Sequence, residues 1–164
     1  MTTQVIEEYV YLLDDAFAGP DWHSLLSNLN TVAPDDWAWV PPGGARSIRA
    51  IVRHVGRVKL MAYDQAFGGG TLTWDDAGGD EETSDIRTAI AWLRMGHARL
   101  RGGIAALTDD AELLRPRRAN WGELKETRWL IMVSMIQHDL YHAGEINHLR
   151  ALHQGADRWE WGVE

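Results

Sequence analysis

The segment HDLYHAGEINHLR, residues 138–150, places two histidines four positions apart in a stretch of helical periodicity. Residues i and i+4 of a helix lie one above the other, so His138 and His142 can offer imidazole nitrogens to one ion. The same three- and four-residue spacing continues through the apolar residues Ile131, Met135, Leu149 and Leu152. Both histidines are therefore expected to face a core, where an unpaired polar group costs about 1–3 kcal/mol. The pattern predicts either a metal site or two core histidines with separate partners.

A third histidine has similar surroundings in another segment. His54 lies between Ile51 and Val58, which share its three- and four-residue spacing, and it is predicted to face inward. Three inward histidines on two helices either meet on a metal ion or each need their own polar partner. We therefore take His54, His138 and His142 as the candidate metal ligands.

Two carboxylates accompany the histidine pair. Glu145 follows His142 by about 4.5 Å along the helix axis, and we interpret it as a residue that tunes the site, as a ligand's hydrogen-bond partner or a general base. A fourth metal ligand is the alternative role for Glu145. Asp139 is rotated about 100° around the helix from His138. This favours a salt bridge, or a contact that supports a metal ligand without binding the ion, as the role of Asp139.

The remaining histidines have weaker claims to a functional role. HDLYH resembles the zincin pattern H-E-x-x-H, an alternative that needs His148 or His153 as a third ligand. Otherwise both are predicted at the surface. His97 falls in the apolar seam of a predicted helix, where it is a satisfied core residue or else a further ligand or base. His23 precedes a predicted helix. It either lies near a pocket or has a structural role, and the structural role is favoured.

Four long segments with helical periodicity must position these residues. The first segment is predicted to end at Gly19 and Pro20, and the second to run from Ser47 to about Gly68. The third is predicted to begin at Thr83 or Ser84, and the fourth to run from about Lys125 to His153. A short helix near residues 22–29 and one turn near Asp109 complete the pattern, without strands. The sequence therefore predicts an all-α four-helix bundle with extra short helices in the connections, as one domain over residues 1–164.

The composition excludes several classes of function. A formal charge of −8 disfavours binding to nucleic acids and to anionic membranes. The absence of cysteine excludes disulfides, thiolate ligands and a protein-borne thiol nucleophile. No segment has the length and apolarity of a membrane span, and the acidic start lacks a signal-peptide pattern. A cytoplasmic protein that binds small molecules or a second copy of itself is expected.

Four stretches resemble the DinB family of DinB/YfiT-like metalloenzymes in order and spacing: AFAGPDWHSLLSNL, DDWAWVPPGGARSIRAIVRHVGRVK, TWDD and HDLYHAGEINHLRAL. The resemblance covers nearly the whole chain. By position it implies that His54, His138 and His142 bind the metal, the same three residues that the helical spacing selects. It also implies a four-helix bundle, often a homodimer, that holds zinc or nickel with open positions for water or substrate.

The resemblance implies a range of activities. Some relatives are transferases or isomerases that use bacillithiol, mycothiol or glutathione. The leading hypothesis is a metal-dependent thiol S-transferase, in which a low-molecular-weight thiol attacks an electrophilic small molecule in a tryptophan-lined mouth. The alternatives are a hydrolase that uses metal-activated water, with Glu145 or Asp139 as base, and a non-catalytic metal-binding module.

Overall fold

The computed structural model describes residues 2–19, 23–119 and 121–156. The helices are α1 Gln4–Ala18, α2 Leu25–Asn30, α3 Ile48–Phe67, α4 Ile86–Ala105, α5 Thr127–Leu130, a π-helix Ile131–Gln137 and α6 His138–Gln154. Short 3₁₀ helices span Pro34–Asp36 and Asp110–Leu114. Strand β1, Pro116–Arg118, pairs antiparallel with strand β2, Leu124–Glu126.

Four long helical segments form the bundle. Helix α4 packs between α1 and α3, and the continuous segment of α5, the π-helix and α6 packs on both α1 and α3. The short helix α2 covers α6. The predicted all-α four-helix bundle with short helices in its connections is therefore confirmed. None of the helices in the described ranges has the length and apolarity needed to cross a lipid bilayer.

The apolar core is divided into two clusters. The first includes Leu29, Ile51, Val55, Leu93 and Ile146. The second includes Leu13, Leu100, Ile104, Ile131 and Met135. Both clusters draw residues from α1, α3, α4 and the last helical segment, so they lie one after the other along the bundle.

Polar side chains separate the two clusters. Lys59 on α3, His97 on α4 and Asp139 on α6 are all buried, and on each helix residues of one cluster precede the polar residue and residues of the other follow it. Asp14 of α1 accepts a hydrogen bond from Nε2 of His97 at 2.8 Å. We call Asp14, Lys59, His97 and Asp139 the polar layer.

Several boundaries differ from the sequence prediction. The expected absence of strands is wrong, because the loop before α5 forms a three-residue antiparallel pair too short to show a period-two pattern. Helix α4 is capped by Asp85, whose side chain accepts from the N–H of Thr88, instead of by Thr83 or Ser84. Leu152 was expected on the inward face but is 51% exposed. Pro20 and Trp22, at the first predicted helix junction, lie outside the described residues.

Candidate metal centre

The fold brings the three candidate ligands together. His54 comes from α3, and His138 and His142 lie one turn apart at the start of α6. The Nε2 atoms of His54 and His138 are 3.2 Å apart. The ring centroids are 4.5 Å apart for His138 and His142, 5.1 Å for His54 and His142, and 5.2 Å for His54 and His138.

The donor set suits a divalent ion. One ring nitrogen from each histidine lies within 4.8 Å of the other two. In a tetrahedral zinc site with Zn–N bonds of about 2.0–2.1 Å, two ligand nitrogens are about 3.3 Å apart, close to the spacing seen between His54 and His138. Imidazole is a good ligand for zinc and for nickel. Within the described ranges this group contains no fourth imidazole or carboxylate, so an ion held here would leave a position for an external ligand.

Glu145 makes a hydrogen bond to one of the candidate ligands. The Nδ1 atom of His142 is 2.8 Å from Oε2 of Glu145, and Nη2 of Arg46 donates to Oε1 of the same carboxylate at 2.6 Å. A carboxylate accepts only from a protonated nitrogen, so His142 carries its proton on Nδ1 and leaves Nε2 free to bind an ion. Glu145 is not one of the three grouped ligands.

All three imidazoles are held in the form that binds metals. Burial, with the neighbouring His142 and His54, lowers the pKa of His138 to about 3. Burial also lowers the pKa of His54, with help from His142 and Arg46. The pKa of His142 is lowered by burial against the opposing effect of Glu145. The triad is therefore neutral at pH 7 and does not need to lose protons to accept an ion.

Two exposed aromatic side chains border the triad. Trp74 is tilted against His54 with 5.6 Å between ring centroids, and Tyr141 meets His142 edge-on at 4.9 Å. The two side chains are 39% and 67% exposed, so the triad lies near the surface beside an aromatic rim. One tryptophan thus lies beside the triad. The tryptophans of the segment RWEW lie outside the described residues.

Arginines of α3 hold the loop that carries Trp74. Nη1 of Arg53 and Nη2 of Arg57 donate to the two carboxylate oxygens of Asp80 at 2.5 and 3.3 Å. Nε of Arg57 donates to the carbonyl of Gly78 at 2.6 Å, and its guanidinium lies 5.6 Å from the centroid of the Trp74 ring. These contacts fix one wall of the site to the helix that carries His54.

Asp139 lies behind the ligands, in the salt bridge that its position predicts. Its Oδ2 accepts from Nζ of Lys59 at 2.5 Å, and both side chains are almost completely buried. A carboxylate held by a buried lysine is poorly placed to act as the base of a zincin. The structure also leaves His148 and His153 outside the candidate ligand group, so the downstream third ligand that the zincin-like alternative needs is not supplied by either.

The other histidines have structural surroundings. His97 stacks on Phe17 with 4.0 Å between ring centroids and bonds Asp14. His153, predicted at the surface, is only partly exposed because its Nδ1 lies 2.7 Å from the buried carboxylate of Asp36. His148 is exposed as predicted. His23, for which a structural role was favoured, is also exposed.

Sequence reasoning missed Lys59 and Arg46. Lys59 had a signal, because it continues a buried stripe of α3 at three- and four-residue spacing, with Val52, Val55, Ala62 and Ala66 as the other members. Lysine is rarely buried without a partner, and that partner lies on another helix. Arg46 lies 99 positions before Glu145, and no local pattern links the two.

Comparison with known families decides the assignment. The family model described as the DinB superfamily matches residues 21–146. The chain belongs to the DinB superfamily. This confirms the resemblance, and the matched range contains all three histidines and Glu145 of the DinB fold described above. No curated protein matches the chain by sequence.

Proposed function

We propose that this DinB-superfamily chain is a metal-dependent transferase that joins a low-molecular-weight thiol to an electrophilic small molecule. The observation that carries the proposal is the group of three neutral imidazoles beside an aromatic rim, with no fourth protein ligand among the described residues. His54, His138 and His142 would hold a zinc or nickel ion. A divalent ion on three neutral ligands keeps its full charge and lowers the pKa of a thiol from about 8.5, so that the thiolate predominates at neutral pH.

The protein's own residues have defined tasks in this reaction. Glu145 keeps the proton of His142 on Nδ1, and Arg46 holds the carboxylate of Glu145 in place. Trp74 and Tyr141 offer apolar surface to the electrophile. In the transfer, sulfur bonds to the electrophilic carbon, the bond from that carbon to its leaving group breaks, and the thiol proton passes to solvent. The thiol must come with the cosubstrate because the chain has no cysteine.

A hydrolase is the second candidate, but both carboxylates that could serve as its general base already have other partners. Glu145 already accepts from His142 and Arg46, and Asp139 is buried against Lys59. A non-catalytic metal-binding module is the third candidate. A structural zinc site is normally closed by four protein ligands, whereas this group has three.

The test compares nucleophiles directly. Protein loaded with Zn²⁺ or Ni²⁺ is assayed with 1-chloro-2,4-dinitrobenzene and a panel of thiols, including glutathione, cysteine and 2-mercaptoethanol, and separately with p-nitrophenyl acetate and an anilide. We expect thiol-dependent consumption of the electrophile above the uncatalysed rate. His142→Ala should abolish it, and His148→Ala, which changes an exposed histidine outside the triad, should leave it unchanged.

Other outcomes separate the three candidates. Ester or amide hydrolysis without thiol, lost in His142→Ala, would favour the hydrolase and contradict the transferase. Absence of both activities in protein that retains its metal would favour the non-catalytic module.

A further inference from the structure

The polar layer interrupts the apolar core at the level where the ligands attach. Lys59 and Asp139 are 2% and 1% exposed and form its buried salt bridge. The ammonium of Lys59 also lies 4.8 Å from the ring centroid of Phe17 on α1. Oδ1 of Asp139 and Nδ1 of His97 are buried without a hydrogen-bond partner among the described residues. Two polar atoms of the layer therefore lack a hydrogen bond within the part of the chain that the structure describes.

Stability is a poor explanation for such a pair. Removing two charges from water has a large desolvation cost, which their mutual attraction often fails to offset. Apolar residues of similar volume at such positions are frequently neutral or stabilising. The best-attested role of a buried polar pair is to specify the register of packed helices, because only one register lets the charges meet.

The pair joins the two helices that carry the triad. Lys59 follows His54 by five residues on α3, and Asp139 is the neighbour of His138 on α6. A slip of either helix by one turn, about 5.4 Å, would leave both charges buried and unpaired. The same slip would separate the Nε2 atoms of His54 and His138, which are now 3.2 Å apart.

Close packing fixes the position of Lys59. A Cβ atom on Gly96 of α4 would lie 3.2 Å from Cβ of Lys59, so the absent side chain lets α4 approach the lysine stem. Phe17 lies against the ammonium from α1. Lys59 is thus packed against α1, α4 and α6. Its ammonium therefore has little freedom to follow Asp139 if α6 moves to another register.

We propose that Lys59 and Asp139 are positioning residues that set the register of α3 against α6 and thereby bring His54 to the histidine pair of α6. The proposal rests on the metal centre proposed above for its functional consequence. It assigns the pair no contact with substrate. Its distinguishing feature is that the ligand geometry depends on the pair while the stability of the fold does not.

The test replaces both charges at once. Lys59→Met combined with Asp139→Val removes the ion pair and roughly keeps its volume, and Leu60→Met is the matched control for repacking at a buried neighbour. We expect the metal-free double variant to keep a melting temperature close to that of the wild type, and each single variant to melt lower because it leaves one buried charge. The affinity for Co²⁺ should fall at least tenfold in the double variant, with a changed visible d–d spectrum, and stay unchanged in Leu60→Met.

A second measurement does not depend on metal. In the metal-free wild type, nuclear Overhauser contacts between the imidazole protons of His54 and His138 should be observed, and they should weaken in the double variant. A double variant with wild-type cobalt affinity, spectrum and imidazole contacts would overturn the positioning role. Failure of the wild type to bind Co²⁺ while its imidazole contacts depend on the pair would instead count against the proposed metal centre and support the positioning role.

Discussion

The contact between His142 and Glu145 determines which imidazole nitrogen faces the other two ligands. Nδ1 donates to the carboxylate at 2.8 Å, so Nε2 points toward the cluster. The same carboxylate accepts from Arg46 at 2.6 Å and is only partly exposed. Glu145 therefore contacts His142 and lies outside the group of three candidate ligands, which favours a role that acts through His142.

Glu145→Gln tests this assignment. The glutamine oxygen still accepts from Nδ1 of His142, but the negative charge and the ion pair with Arg46 are lost. We expect the variant to bind metal about 10–100-fold more weakly and still to carry it after purification. Competition with a chromophoric chelator measures the affinity. If the purified Glu145→Gln variant binds no metal at any concentration that is added, Glu145 would instead be a direct ligand.

His97 makes stability depend on pH. Burial and the Lys59 ammonium lower the pKa of His97 to about 4, against the opposing effect of Asp14, whereas in the unfolded chain it is about 6.5. Between these values the unfolded state binds more protons, so the free energy of unfolding falls as the pH falls, by up to about 1.4 kcal/mol per pH unit. Above pH 6.5 this contribution is fully present.

The measurement is chemical denaturation from pH 7 to pH 4. His97→Gln should show a shallower loss of stability on acidification than the wild type, and His148→Gln should match the wild type because His148 is exposed. Equal slopes for His97→Gln and the wild type would mean that His97 is not buried in its neutral form.

Much of the candidate ligand group can be predicted from residues alone, because imidazoles within an apolar stripe are expected on the inward face of a helix. His54, His138 and His142 were selected in this way, and the structure brings them together. Periodicity assigns a face on one helix but does not tell which side chains of different helices meet. Lys59 with Asp139 and Arg46 with Glu145 are contacts between distant segments, so they required the fold.

At the scale of elements, the π-helix changes how α6 begins. It spans Ile131–Gln137 and ends directly before His138. A π-helix has wider turns than an α-helix, and the neighbours Met135 and Ile136 are both buried. A regular α-helical stripe through Met135 predicted His138 as the inward residue, but Asp139 is the more deeply buried of the two. Hydrophobic spacing cannot reveal such a local change in register.

The contact between α3 and α4 depends on a glycine two residues after His54. A Cβ atom on Gly56 would lie 2.0 Å from Cζ3 of Trp92, a buried side chain of α4. Gly56→Ala must move the ring or separate the helices, and we expect it to lower the free energy of unfolding by about 1–3 kcal/mol despite the better helix propensity of alanine.

Gly102→Ala is the matched control. Gly102 is also in a helix, but an added Cβ there meets nothing within 4 Å, so alanine should stabilise by up to about 1 kcal/mol through helix propensity. Urea denaturation of both variants measures the difference. A neutral or stabilising effect of Gly56→Ala would show that α3 and α4 do not pack as closely as described.

For the whole molecule, the two apolar clusters explain why the fold should not depend on an ion. Both include residues of all four bundle segments and consist of apolar side chains that bury one another. The four-helix architecture was predictable because long amphipathic segments have few other ways to bury their apolar faces. The predicted homodimer and cytoplasmic location stay predictions.

Removal of metal tests this independence. Because a bound ion would link α3 to α6, chelation with EDTA should lower the melting temperature through loss of native-state binding, without loss of helical circular dichroism at 25 °C. Re-addition of Zn²⁺ should restore the melting temperature. Loss of the helical signal on chelation would mean that the core alone does not maintain the bundle.

Metal analysis of purified variants tests the central claim most directly. Wild-type protein and single alanine variants of His54, His138, His142 and His148 are loaded with Zn²⁺, dialysed against metal-free buffer and measured by mass spectrometry. The wild type and His148→Ala should retain about one ion per chain, and the three triad variants should lose most of theirs while remaining folded. Unchanged occupancy in the triad variants, or no retained ion in the wild type, would contradict a metal centre formed by His54, His138 and His142.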